Sequence, residues 1–390
     1  MKQHQIRMAT DKDYNDLLNL WKYCFTDSDS FRKWYFEHYY YSSETIVIDV
    51  DGRAVASLQV VDLPMLINGK RLKTGYIVGV DCLPEYRGRG FTRQLIEEAI
   101  NHYAPQHNIQ LLQLMPFEAD FYYPFGFVFG NYHANIALNI DEFYHPEYRE
   151  MARKYSWKDV DLNCFRENIQ LLEAVYKNCM KKYDGYVERV SDRRWAALLD
   201  DMRIENGYMK ILYNQFEEAV GYIVYGFIDN HLYIRECIVT DNDARQAMYY
   251  FISTHRSQYK TVEWSAAENE PVIYRRKKDK TGVQWYPFMM YRIVDPTIIS
   301  VFASDYPKQD IRFFVENKGT YLWRAHGDLI EKIADRCETD VKLSVQVLTQ
   351  VVFDYASEAI SLENEKSCAG IEQLRHLFKE KKIVFNNEYF

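Results

Sequence analysis

No two of the cysteines stand at CxxC spacing. The seven of them, Cys24, Cys82, Cys164, Cys179, Cys237, Cys337 and Cys368, are dispersed and odd in number. That pattern argues for reduced thiols and against a disulfide framework or a cysteine zinc site. His4, His38, His102 and His107 fall at no spacing that suggests a metal, so none is expected. No apolar run approaches the ~18 residues of a membrane span, and the opening MKQHQIRMATDKDYNDL has no apolar signal core. These absences lead to the expectation of a cytoplasmic protein. Positive charge is short too: 48 Lys and Arg stand against 56 Asp and Glu. The net charge of -8 argues against a general nucleic-acid binder and mildly favours cationic partners.

What is present is core-forming material. Hydrophobic residues make up 47% of the 390 and charged residues 27%, the balance of a globular protein with two or three domains. Tyrosine, at 33, supplies ring area suited to interfaces or ring-lined pockets. Along the chain, Ile6–Tyr40 reads as two helical pieces, with Thr10-Asp11 as a cap before Tyr14, Leu17, Leu18, Trp21 and Phe25. Asp51-Gly52 and Asn68-Gly69 are hairpin signals between β-rich runs, so a meander leads into Val80.

The stretch around which the chain is organised is Val80–Ile100, VDCLPEYRGRGFTRQLIEEAI: strand, turn, basic glycine loop, amphipathic helix. A helix N-terminus offers unpaired N–H groups and the positive end of a dipole. Gly88 and Gly90 let backbone approach an anion, and Arg87 and Arg89 add charge, so the segment reads as a diphosphate cradle. It lacks both the Lys-Ser/Thr pair of a P-loop and the GxGxxG of a dinucleotide fold. Ile109–Met115 follows as a strand, completing a βαβ unit, and Asn131–Ile140 reads as the strand that closes it. Asp141–Glu150 reads as a linker and Ser156–Tyr183 as helical. Tyr208–Tyr213, Val220–Phe227, Leu232–Val239, a helix over Asp241–Ser257 and Lys260–Ser265 then repeat the order of residues 45–115. At the cradle position this second copy has Thr240-Asp241-Asn242-Asp243-Ala244-Arg245, with no glycine and excess acid, which would repel a phosphate.

Pro84, Arg87 and Gly90 fall in the order V-x-x-P-x-x-R/Q-x-x-G-x-G/A, so the segment resembles motif A of the GNAT N-acetyltransferases; Thr92 stands where that pattern has a further glycine. Together with EADFYYPFGF, MMYRIVDP and the terminal aromatic, the whole chain resembles the Eis-type (enhanced intracellular survival) acetyltransferases. The resemblance implies mixed α/β sheets: a catalytic GNAT domain (1–150), a degenerate GNAT-like domain (151–287) and a sterol-carrier-like α+β domain (288–390) whose C-terminus reaches the active site. It also implies acetyl-CoA as co-substrate, an amine acceptor and a homohexamer.

By the same resemblance Val80, Asp81 and Cys82 would pair with the pantetheine, and Arg87, Gly88, Arg89, Gly90, Phe91 and Thr92 would hold the pyrophosphate; Phe117 joins the coenzyme-binding set. Acetyl transfer needs a neutral amine, a stabilised carbonyl oxygen and a protonated leaving thiolate. A tyrosine titrates near ~10 and can serve as the acid; the family's tyrosine maps to Tyr122, with Tyr123 its neighbour. Glu118 and Asp120 lie near the site on paper, but the resemblance gives the base role to the carboxylate of Phe390. Asp27, Trp34 and Glu388 are candidates for an acidic, aromatic acceptor pocket for a polyamine, an aminoglycoside-like cation or a lysine. The alternative is an apolar-ligand carrier with a vestigial fold.

Overall fold

The computed structural model describes residues 4–189, 192–204, 206–275, 282–339, 341–353, 374, 376–378 and 384–388. The chain divides into two compact units, one of residues 1–131, 183–188 and 288–390, the other of residues 132–182 and 189–287.

The first unit opens with β1 (His4–Met8), α1 (Tyr14–Cys24), α2 (Asp29–His38), β2 (Thr45–Val50) and β3 (Arg53–Asp62). A short hairpin, β4 (Met65–Ile67) and β5 (Lys70–Leu72), precedes β6 (Thr74–Cys82), α3 (Phe91–Glu98), β7 (Leu111–Leu114) and β8 (Val128–Phe129). Ile6–Met8, read in the sequence as the start of a helical stretch, belong instead to an edge strand antiparallel to β2. Five residues are too few to show a period, and Arg7 fixes this strand by bonding both Asp13 and Asp49. Ser28 caps α2 by accepting from Phe31 N at 3.1 Å.

The main sheet has the order β1-β2-β3-β6-β7, then the strand Met290–Ile293, then β8. Only the β6–β7 pair is parallel. β3 is buried from Ala54 to Val61, and both α1 and α3 pack on β3 and β6. The later part of this unit adds a four-stranded sheet (330–334, 319–323, 311–315 and 342–343) and the helix Val345–Phe353. In a further small sheet, Val384–Phe385 runs parallel to Gly185–Val187, which pairs with β4.

The second unit repeats the plan, with strand order 156–159, 208–213, 219–228, 231–239, 261–267, 132–139 and 283–287. Its one parallel pair is again the one bridged by a helix, Asn242–Thr254. The strand Tyr132–Asn139 does not close the first unit as its position suggested, because it pairs with Thr261–Ala267 and Val283–Pro287. The place it would have taken beside β7 is filled by Met290–Ile293. Alternation along a strand says which face is buried, not which sheet it joins. Ser156–Asp159 is likewise a strand, with the helix confined to Ile169–Met180. The supposed linker contains a helix, Pro146–Ala152, packed on Asn242–Thr254. The helix Asp192–Ile204 was not foreseen. Among the described residues no helix is long and apolar enough to cross a membrane.

A buried ion pair ties the second unit together. Arg189 grips Glu236 with two bonds of 2.7 and 2.8 Å, and Tyr222 donates to the same carboxylate at 2.7 Å. Both charged side chains are essentially sealed from water. Removing one partner strands a buried charge. Glu236→Gln is therefore expected to lower unfolding free energy by about 3 kcal/mol or more, measured as a reduced urea midpoint; an unchanged midpoint would show that the pair is not holding the unit.

Candidate active site

β6 runs beside β3 from Gly75 to Cys82, but beside β7 only from Thr74 to Tyr76. Beyond Tyr76 the two parallel strands part. Among the described residues, the β7-facing edge of Ile77–Cys82 has no strand partner. A register shift opposite Ser57–Gln59 accompanies the parting. Gly79 sits there at φ +63°, and a Cβ would lie 2.7 Å from the Trp21 ring. Only glycine meets both conditions. Trp21 is held in turn by stacking on Tyr35 at 4.2 Å and by donating from Nε1 to Asp27 at 3.0 Å.

After β6 the chain makes a turn over Pro84–Tyr86, and the Arg87 Nε donates to the Cys82 carbonyl at 3.1 Å. Arg89 lies over the Tyr86 ring and donates to the Glu85 carbonyl. Gly88 and Gly90 adopt φ of 73° and 77°, with open space where a Cβ would project. Gly90 is the N-cap of α3 and carries no side chain to cap it. Among the described residues the amides of Gly88 to Arg93 therefore find no acceptor. They are available to an anion.

A cavity of about 480 Å³ joins these parts. Its wall includes Val80, Asp81 and Cys82 from β6, Arg87, Gly88 and Gly90 from the loop, and Phe91 and Thr92 from α3. Phe117, 75% exposed in total area, closes one side. Of the residues expected to bind coenzyme, Arg89 alone is outside this wall. Cys24, Phe25, Tyr86 and Phe121 also line it and were missed, because nothing in their own sequence surroundings marks them.

Tyr122 ends the short helix Ala119–Tyr122, with its ring edge-on to Phe121 at 5.0 Å and to Phe117 at 5.9 Å. Burial pushes its hydroxyl up to about 12, so it stays protonated at neutral pH. That hydroxyl makes no hydrogen bond among the described residues and is not sealed from solvent. Tyr123 is only half-buried. The buried Tyr76 hydroxyl bonds the Met115 amide and lies within electrostatic reach of Tyr122, Tyr39 and Glu388, the last described residue. Phe390 lies outside the described residues.

Asp27, Trp34 and Glu388 are not brought together in the cavity. Asp27 is spent on Trp21, and Trp34 is buried in α2 against Phe31 and Tyr39. Among the described residues no cluster of His, Cys, Asp or Glu is suited to a metal. The second unit places its own side chains at the corresponding positions. The Asp241 side chain accepts from Ala244 N at 2.8 Å and so caps its own helix, and Lys182 donates to the Val239 carbonyl at 3.2 Å.

Residues 5–130 match an acetyltransferase (GNAT) domain family, and residues 185–293 match another family of the same description. No curated protein matches the sequence. Among solved structures, one from Enterococcus faecalis, described as a probable N-acyltransferase, superposes with TM-score 0.83 at 18% identity over 100% of both chains. A GCN5-related N-acetyltransferase from Anabaena variabilis gives 0.80 at 17%, again over 100% of both chains. Eis1 from Mycobacterium abscessus gives 0.74 at 13% over 100% of both. At these identities the likeness is one of fold.

Gly79→Ala tests the parting of β6 from β7. Forcing a Cβ into positive φ against an indole is expected to cost about 1–3 kcal/mol of stability, read from chemical denaturation; an unchanged midpoint would mean that neither the turn nor the ring constrains this position.

Proposed function

Because the chain belongs to the GNAT acetyltransferases, we propose that its first unit transfers an acetyl group from acetyl-CoA to an amine by direct attack. The observation that carries this is the single cavity shared by an unpaired strand edge and an uncapped helix N-terminus. Its volume falls in the range of roughly 300–1,000 Å³ usual for small-molecule sites. The fit to the coenzyme is chemical as well as spatial. The free edge of Ile77–Cys82 can take an amide-bearing arm as an added strand, and the amides of Gly88–Arg93 can take a diphosphate. Acetyl-CoA supplies the activated acetyl thioester.

The protein's own groups do the rest in this reading. Those N–H groups of Val80–Cys82 that face the open edge are placed to donate to a thioester oxygen as charge develops on it. Tyr122, protonated at neutral pH and free of internal hydrogen bonds among the described residues, donates to the departing sulfur. Phe117 and Phe121 give one side of the cavity an aromatic wall. The second unit, with Asp241 and Lys182 in the corresponding places, is structural. The resemblance further supports a homohexamer and a sterol-carrier-like C-terminal part. A carrier role for apolar ligands is not favoured, since an uncapped helix N-terminus suits an anion.

The untagged chain is expected to release free thiol from acetyl-CoA only when a primary amine such as spermidine, kanamycin or lysine is present; no release with any amine would contradict the reading. Tyr122→Phe is expected to lower kcat about 10²–10⁴-fold, with Tyr123→Phe nearly silent. The reverse ranking would reassign the acid.

A further inference from the structure

Asp81 is the one carboxylate among the described residues of the cavity wall. It is buried on β6 between Val80 and Cys82, the two residues at the open strand edge. Its Oδ1 accepts twice from Ser57, from the backbone N–H and from the hydroxyl, each at 2.8 Å. This fixes the carboxyl plane. Oδ2 has no hydrogen bond among the described residues and is not sealed from solvent. A buried carboxylate in a cavity wall, with one oxygen tethered and the other without a hydrogen bond among the described residues, is poorly explained as packing, because an unpaired buried charge costs stability.

We propose that Oδ2 of Asp81 receives the ammonium of an aliphatic amine acceptor and takes its proton. The proposal rests on the transferase reading and names both the base and the acceptor class within it. An aliphatic amine titrates near ~10.4 in water and so arrives protonated. One proton passes from the ammonium to Oδ2, leaving a nitrogen lone pair. That pair forms the C–N bond to the acetyl carbon, the C–S bond breaks, and its electrons leave on sulfur. Sulfur takes a proton from Tyr122, which the second nitrogen proton replaces. Asp81 then returns its proton to water, and the products are an amide, a thiol and one proton.

The electrostatics agree with this role. Burial pushes the Asp81 carboxyl up to about 7, partly offset by the Ser57 bonds. A base near the working pH is the effective one. The groups facing it are the Cys24 thiol from α1, the Ser57 hydroxyl from β3, the Cys82 thiol from β6 and, beyond Cys82, the Arg87 guanidinium. Burial raises both thiols, Cys82 to about 11, so neither titrates near neutrality. Among the described groups facing it, Asp81 is the one expected to titrate near pH 7.

The sign for stability follows from the same shift. The folded carboxyl holds its proton more tightly than the unfolded one, so its contribution is fully present below about 3.8 and lost as pH rises through about 7. Asp81→Asn is thus expected to raise the melting temperature relative to the parent at pH 8 more than at pH 5.

The test is the pH profile of kcat/KM for the untagged full chain with acetyl-CoA and the best amine among spermidine, kanamycin and lysine. The parent is expected to show an acid limb with apparent pKa near 7. Asp81→Asn should lose that limb and drop kcat/KM about 10²–10⁴-fold at pH 7, while acetyl-CoA affinity by calorimetry stays within about threefold. Ser57→Ala, which removes one stabilising bond to the carboxylate, should move the limb to higher pH and serves if the first variant does not fold. An unchanged limb in either variant overturns the proposal. So does a chain extended beyond Phe390 that loses turnover while Asp81→Asn keeps it, since the terminal carboxylate would then be the base. No thiol release by the parent with any amine instead overturns the transferase reading itself.

Discussion

The separation of β6 from β7 after Tyr76 is the constraint on which the site depends. Parallel neighbours ordinarily stay paired, because an unpaired backbone polar group away from water is costly. Here the register shift opposite Ser57–Gln59 and the positive φ of Gly79 turn β6 aside, and the Trp21 ring fills the side where any larger residue would need room. Three features meet in the same few residues. A strand edge is left open, Asp81 belongs to the wall of the cavity there, and the chain arrives at α3 through two glycines rather than a capping side chain.

The second unit shows what the same fold does without that opening. Its parallel pair also ends early, at Ile234 and Trp264. The space beyond is occupied by the unit's own side chains, with Lys182 on the Val239 carbonyl and Arg245 paired to Glu270. Asp241 supplies the helix cap that Gly90 withholds. One donor of the kind that the first unit leaves free, the Ala244 amide at the start of the helix, is satisfied in the second by the unit's own side chain. The two units therefore share a topology and differ in which groups meet the start of the helix after the parallel strand.

Much of this was legible in the sequence because it is local. The hairpins at Asp51-Gly52 and Asn68-Gly69, the loop from Arg87 to Gly90 and the amphipathic α3 are set by residues adjacent in the chain. The glycine-free Thr240–Arg245 turn marked the second unit as different for the same reason. Long-range choices were not legible. The exchange in which Tyr132–Asn139 joins the second sheet while Met290–Ile293 joins the first leaves no trace in either strand's alternation. Asp81 was read as one more residue of a coenzyme-facing strand, since neither its burial nor its tie to Ser57, 24 positions away, can be seen from its neighbours. The proposed acceptor residues Asp27 and Trp34 were plausible by type, but their partners Trp21 and Tyr39 keep them out of the cavity wall.

Backbone amide hydrogen exchange with and without acetyl-CoA measures directly whether the open edge of β6 and the uncapped start of α3 are one coenzyme site. Slowed exchange is expected at Val80–Cys82 and Gly88–Arg93 on addition of acetyl-CoA, with Arg235–Val239 of the second unit unchanged. Protection confined to the second unit, or none in either, would contradict it.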